Sequence, residues 1–133
     1  LLYGGQEAGC AHLPELFDKD PVDWNAGPDR TALLQRLYRL KQHPLLTGSV
    51  YQVRALPGDL LVAEHRRGQD RLTGIFSLKG TSGPVAVDVP DGTYPNLADG
   101  GRVEVKFGRV TCHGQPIILE CCGQAGREAE ESQ

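Results

Sequence analysis

The sequence predicts a mainly β fold: an antiparallel β-sandwich of six to eight strands preceded by one amphipathic helix. Three observations lead there. From Ser49 to Glu120 apolar residues recur with period two, in short runs about 10 to 15 residues apart, divided by Gly and Pro turns. Gly 17 and Pro 9 together make about a fifth of the 133 residues, which favours short elements over a helical bundle. Ahead of the β region, a single segment carries the 3.6-residue period of a helix. The length suits one ordinary domain with a real core and is too short for two. Net charge is −3, from 14 Lys+Arg against 17 Asp+Glu, so nothing in the charge points to nucleic acid or an anionic membrane. No apolar run approaches the ~18 residues that would span a bilayer.

Residues 1–7, LLYGGQE, read as the end of a buried strand entering a glycine turn, with Gln6 and Glu7 just past the strand's C-terminal end. A polar loop follows over 8–27, broken by Pro14, Pro21 and Gly27. Its large apolar groups Phe17, Val22 and Trp24 are expected to pin it to a neighbour. The helix is predicted from Pro28 to His43. Pro28 and Asp29 suit a first turn, Leu33, Leu37 and Leu40 form a stripe widened by Leu34 and Tyr38, and Pro44 stops it. Val50, Val53 and Ala55 mark a first strand. Leu60–Arg66 and Arg71–Leu78 form a hairpin around Arg67-Gly68-Gln69-Asp70. Val85, Val87 and Val89 alternate with polar or small residues, Pro90-Asp91-Gly92-Thr93 is a turn, and Arg102–Phe107 alternates again. Gly114–Glu120 is the last strand. The tail over 123–133 is polar and acidic and is expected to be disordered.

The chain has no Met and opens on Leu1-Leu2-Tyr3, without a charged leader. It therefore reads as a cut through a longer protein, with a processed mature terminus as the alternative. Cys10, Cys112, Cys121 and Cys122 match no C-x-x-C pair, and vicinal Cys121-Cys122 cannot easily bridge. Reduced structural thiols, which favour a cytoplasmic setting, are the main reading. A Cys112/His113/Cys121/Cys122 metal cluster is a minor one, and it lacks the rigid knuckle of structural zinc.

No nucleophile elbow, Walker loop or G-x-G-x-x-G motif occurs. His12, His43, His65 and His113 are scattered one per segment, which suits surface or satisfied histidines. Glu64 and His65 point to opposite faces of one strand. Glu7 with Asp18, Asp20 or Asp23 would be a carboxylate pair on a single loop, with no opposing wall to form a cleft. On its own residues the chain assigns no catalytic group, no metal ligand and no cofactor.

The order of segments looks like the last β/α unit of a (β/α)8 barrel followed by an appended β domain. Leu2-Tyr3-Gly4-Gly5-Gln6-Glu7 resembles the eighth barrel strand of the α-amylase family of glycoside hydrolases. Phe17-Asp18-Lys19-Asp20-Pro21-Val22-Asp23-Trp24 is similar to the loop that follows in that family. Leu37–Gly48 resembles the final helix and its exit through His43-Pro44-Leu45 into the C-terminal domain. The first 48 residues carry the specific part of the resemblance, and the β region matches in architecture. It implies three parts: the last β/α unit over 1–47, an amylase-like C-terminal β-sandwich over 48–122, and the tail.

The resemblance also implies what the chain would not contain. The family's nucleophile aspartate, acid/base glutamate and stabilising aspartate lie on barrel strands four, five and seven, upstream of Leu1, and a calcium site would lie upstream too. Tyr3, Gln6 and Glu7 would sit near the barrel face where active sites form. Trp24 would anchor its loop or, alternatively, stack on sugar. The implied partners are an α-glucan or oligosaccharide, bound through the parent barrel, and that barrel itself in cis. Two alternatives stand beside this reading. One is a fragment of a non-enzymatic amylase-like ancillary subunit of an amino-acid transporter. The other is a free-standing carbohydrate-binding sandwich, for which Tyr51, Phe76, Tyr94 and Phe107 are the available strand aromatics.

Overall fold

A computed structural model describes residues 2–123, which divide between Gln42 and His43 into two units. The expected disorder of the acidic tail falls on residues that, Gly123 aside, lie outside those described. The second unit is the predicted sandwich. Among the described residues it has eight strands: β1 (Val50–Leu56), β2 (Leu60–Arg67), β3 (Asp70–Ser77), β4 (Ser82–Ala86), β5 (Gly92–Pro95), β6 (Arg102–Lys106), β7 (Arg109–His113) and β8 (Ile117–Cys121). They make two four-stranded antiparallel sheets, ordered β1-β2-β3-β8 and β4-β7-β6-β5.

The period-two pattern builds the core. Val62, Ile75, Ile117 and Leu119 from the first sheet join Val85, Val105, Val110 and Cys112 from the second in one buried cluster. Burying a side chain of this size contributes roughly 1.5–3 kcal/mol. Val105 and Val110 are register partners across β6 and β7, so two strands bring their apolar faces to one point. The β2–β3 hairpin pairs through to Arg67 and Asp70, which leaves only Gly68 and Gln69 in its turn. Within β3, the ring of Phe76 lies over Gly74; a Cβ there would meet ring carbons at 2.7 and 2.8 Å.

The strand pattern departs from the prediction in five places. β4 ends at Ala86, so Val87 and Val89, expected to alternate along the strand with Val85, are buried beyond its end. Gly92 and Thr93, expected in a turn, open β5; this short strand with terminal Gly and Pro exists because β6 pairs with it from Gly92↔Val105 to Pro95↔Arg102. Arg109–His113, unassigned from sequence, is β7, with only Val110 and Cys112 facing inward. Phe107, expected to end a strand, is a turn residue at φ +51° and 91% exposed. The Asp91 carboxylate accepts the N–H of Phe107 at 2.8 Å and of Gly108 at 2.9 Å, which holds that turn. Those bonds, Gly108's first, also hold the Asp91 carboxyl below the ordinary carboxylate range. The last strand starts at Ile117 rather than Gly114, because Gly114 at φ +83° and Pro116 occupy the preceding turn. Pro84 is tolerated in β4 because that strand is an edge.

Asn96 ties the end of β5 to β8 and so links the sheets. It is buried; its Oδ1 accepts from the N–H of Ile118 (2.9 Å) and Ala98 (3.1 Å), and its Nδ2 donates to the Pro116 carbonyl (3.2 Å). At the entry to the unit, His43 is extended, as the residue before a proline must be. His43 Nδ1 accepts the Leu45 N–H at 3.1 Å, and its Nε2 lies 2.9 Å from Glu120 on β8. The buried side chain of Leu45 fixes this corner.

In the first unit the helix α1 spans Thr31–Leu40, shorter than the predicted 28–43. At its start the Asp29 carboxylate accepts both the N–H (2.9 Å) and the hydroxyl (2.6 Å) of Thr31, so Asp29 caps from outside the helix instead of entering its first turn. At its end, Gln42 N–H bonds back to Arg39 in a tighter turn. Leu33 and Leu37 are 45% and 44% exposed, so the predicted stripe exists without being buried. Residues 2–7 hold no strand. Leu2 and Tyr3 are exposed, and the chain turns at once into a short 3-10 helix, Gln6–Ala8. A strand needs a neighbour for its hydrogen-bond ladder, and local sequence cannot supply one. Phe17 and Trp24 do not pin the loop; both are exposed, and only Val22 is half-buried, against Gly5.

Candidate functional site

The sequence singles out Tyr3, Gln6, Glu7 and Trp24. The first three meet around the turn at Gly5, whose φ of +93° lets the chain reverse. A Cβ on Gly5 would lie 2.9 Å from Val22 Cγ1, so a larger residue would push the loop away. Gln6 Oε1 accepts the Tyr3 N–H at 2.8 Å, and Glu7 Oε2 accepts the Gly5 N–H at 3.0 Å. Gln6 and Glu7 therefore serve the turn's own backbone. Tyr3 and Gln6 line an open cavity of about 670 Å³, whereas Glu7 and Trp24 are not among its walls. The four residues thus do not form one constellation within this chain.

The same cavity holds a group that sequence reasoning missed. Cys10, His12 and Asp20 line it together, linked by side-chain hydrogen bonds. Only the i, i+2 spacing of Cys10 and His12 was visible beforehand, and that pattern is common in loops. The Asp20 carboxyl sits below its ordinary range, chiefly because it accepts the Glu15 N–H at 3.0 Å and then because of His12.

The minor metal reading fails on strand geometry. Cys112 is buried in the core while His113, next to it on β7, faces out, and among the described residues no three His, Cys, Asp or Glu side chains converge to hold an ion. All four cysteines are free thiols. The strand aromatics make no shared platform. Tyr51 on β1 stacks on His65 at 4.5 Å, Phe76 covers Gly74 in β3, Tyr94 donates its hydroxyl to Pro90 O at 2.8 Å, and Phe107 projects from the β6–β7 turn of the other sheet. The outer face of β6 and β7 carries Arg102, Glu104, Lys106 and Arg109, with Lys106 and Glu104 paired at 3.0 Å, which is a solvated charged surface. Among the described residues, no helix is long and apolar enough to cross a membrane.

Comparison with known proteins bears on the whole arrangement. The family model described as bacterial alpha amylase C-terminal domain matches residues 52–119. An α-amylase of known structure from Lactobacillus plantarum is similar at 35% identity with a TM-score of 0.83, over 91% of this chain and 29% of that one. A noncanonic maltogenic α-amylase, AmyB from Thermotoga neapolitana, shares the fold at 16% identity with a TM-score of 0.66, over 90% of this chain and 32% of that one. The chain thus spans about a third or less of the solved relatives it matches. No curated protein gives a significant sequence match.

Proposed function

Since this chain belongs to the bacterial alpha-amylase C-terminal domain family, we propose that it is the non-catalytic C-terminal portion of an α-glucan-acting glycoside hydrolase. In this reading residues 1–47 complete the last β/α unit of a (β/α)8 barrel, and residues 48–122 stabilise that barrel. The observation that carries it is the extent of the likeness. The family match begins only at residue 52 and holds 68 residues, yet the Lactobacillus plantarum enzyme matches 91% of the chain, about 121 residues. Even with all 14 residues after 119 counted as matched, about 39 of the first 51 must be shared as well. The half-exposed leucines of α1 and the exposed segment at Leu2 and Tyr3 agree with this, since a last β/α unit meets its neighbours only in a whole barrel.

The mechanism then divides between the parts. A retaining glycosidase needs two carboxyl groups on opposite sides of the scissile bond, one as nucleophile and one as acid and base. Both would come from the barrel, together with the α-glucan site. This chain would contribute Tyr3, Gln6 and Glu7 at the barrel's C-terminal face, where Gln6 and Glu7 hold the Gly5 turn in shape. The β domain would add buried apolar area and no chemistry.

The test begins with the coding DNA upstream of the Leu1 codon. The expected result is an open frame of roughly 300–400 residues, with Asp, Glu and Asp ending strands four, five and seven. The encoded protein would hydrolyse starch, and deleting 48–122 would lower its thermal midpoint. A start site directly before Leu1 overturns the fragment reading. A long frame lacking the carboxylates points to the transporter-ancillary class, and capture of this chain by starch beads points to a binding module.

A further inference from the structure

Cys10, His12 and Asp20 lie outside that proposed function, and their bonds run in one direction. Cys10 Sγ is 3.1 Å from His12 Nδ1, and His12 Nε2 is 2.9 and 3.1 Å from the two oxygens of Asp20. An ionised aspartate only accepts, so the imidazole proton belongs on Nε2 and the Nδ1 lone pair faces the thiol. Thiol, base and orienting carboxylate in that sequence is the arrangement that activates a sulfur nucleophile. The thiol is half-buried at the wall of an open cavity of about 670 Å³, so a small molecule can reach it.

The surroundings narrow the chemistry. Acyl transfer needs free N–H donors for an oxyanion, and the N–H of Cys10 is already given to Gly5 O at 3.0 Å. Metal binding is disfavoured because both imidazole nitrogens are engaged and no third ligand converges among the described residues. Thiol–disulfide exchange requires only a thiolate, an accessible sulfur and a place for the proton. Charge selects the disulfide. Glu15, Asp18 and Asp20 line the cavity and no Lys or Arg does, so an anionic disulfide is repelled and a cationic one drawn in.

We propose that Cys10 is a nucleophilic thiol that exchanges with small cationic disulfides, with His12 as its base and Asp20 as the positioning residue. His12 Nδ1 takes the Sγ proton, and the thiolate attacks one sulfur of R–S–S–R. The new Cys10–S–S–R bond forms as the old S–S bond breaks, and the departing RS⁻ takes the proton from the imidazolium. Cys10 is oxidised to the mixed disulfide, half of the reagent is reduced to thiol, and no other reactant is needed. Because the Sγ proton has His12 Nδ1 as its acceptor, the reaction depends on His12.

The experiment treats the full reduced chain with cystamine and follows each cysteine by peptide mass spectrometry. Cys122 is the internal control: it is exposed, but burial of its sulfur, and then Glu120, push its thiol up. Cys10 is expected to react about tenfold faster than Cys122 near neutral pH, and faster with cystamine than with oxidised glutathione. His12→Gln should erase the advantage and Asp20→Asn should reduce it, while a constant Cys122 rate reports an intact sandwich and unchanged amide chemical shifts at Gly5, Ala8 and Val22 report an intact loop. Equal rates at Cys10 and Cys122, or an unchanged Cys10 rate in His12→Gln, overturns the proposal. Equal rates with the two disulfides overturn its charge selectivity.

Discussion

In the sandwich Ile75, Val110, Cys112 and Leu119 are fully screened from water, whereas in residues 2–42 Leu13, Leu16 and Phe17 are almost wholly exposed and only Gly5 and Ala8 are buried. Apolar content alone does not explain the contrast, since the first unit has leucines in plenty. The sandwich arranges its apolar residues with a period that matches its backbone, on strands paired far apart in sequence, so two faces close on each other. The first unit has a helical stripe and a loop whose large apolar groups are left mostly exposed among the described residues. An amphipathic pattern predicts where a face will be; burial requires a second face opposite it.

The contrast is broken or sharpened by measurements of graded size. The largest effect is expected from Leu119→Ala or Ile75→Ala, each costing about 2–5 kcal/mol in chemical denaturation through lost burial and a cavity at the sheet interface. A cost below about 1 kcal/mol would mean the core is not where the chain's stability lies. Next comes Asn96→Ala, at about 1–3 kcal/mol, because the buried Ile118 N–H loses its acceptor between the sheets. Removing residues 1–42 should then shift the β-domain unfolding midpoint only slightly. In hydrogen exchange of the full chain, residues 2–7 should exchange quickly and β3 and β8 only on global unfolding; strong protection over 2–7 would erase the contrast.

Two smaller effects complete the series. The folded-state pKa of Asp91 is depressed, so its contribution to stability is present above the unfolded value of about 3.9 and is lost as pH falls through the folded value. Amides at Phe107 and Gly108 should accordingly exchange faster, relative to the core, at pH 3 than at pH 6, and Asp91→Asn should flatten that difference. Smallest of all, Phe17→Ser should change stability by no more than about 0.5 kcal/mol. A larger loss would show that Phe17 has a partner.

What could be read beforehand followed the local signals. The β2–β3 hairpin was legible because two apolar runs flank a turn with Gly68, and β6 because Val103 and Val105 alternate with charge. β5 and β7 were not, because Gly92–Pro95 has poor strand composition and Arg109–His113 shows only two inward residues; pairing with β6 makes β5 a strand, and pairing with β4 along its whole length makes β7 one. The helix was found but overextended at both ends, where Asp29 and the His43-Pro44 step set limits through cap and turn geometry. Near the candidate site, the reversal of the chain at Gly5 was legible from its glycines, while the relay was not. Cys10 and Asp20 are ten residues apart on a loop with no period, and only the folded loop sets His12 between them.

By itself the sequence determined the class of fold, the two periods and where one gives way to the other, because side-chain alternation and helical spacing are properties of the local chain. The tertiary structure decided which strands pair, that Leu33 and Leu37 stay half-exposed, and that a thiol, an imidazole and a carboxylate meet at one cavity. Those outcomes depend on which surfaces come together, and no run of neighbouring residues encodes that.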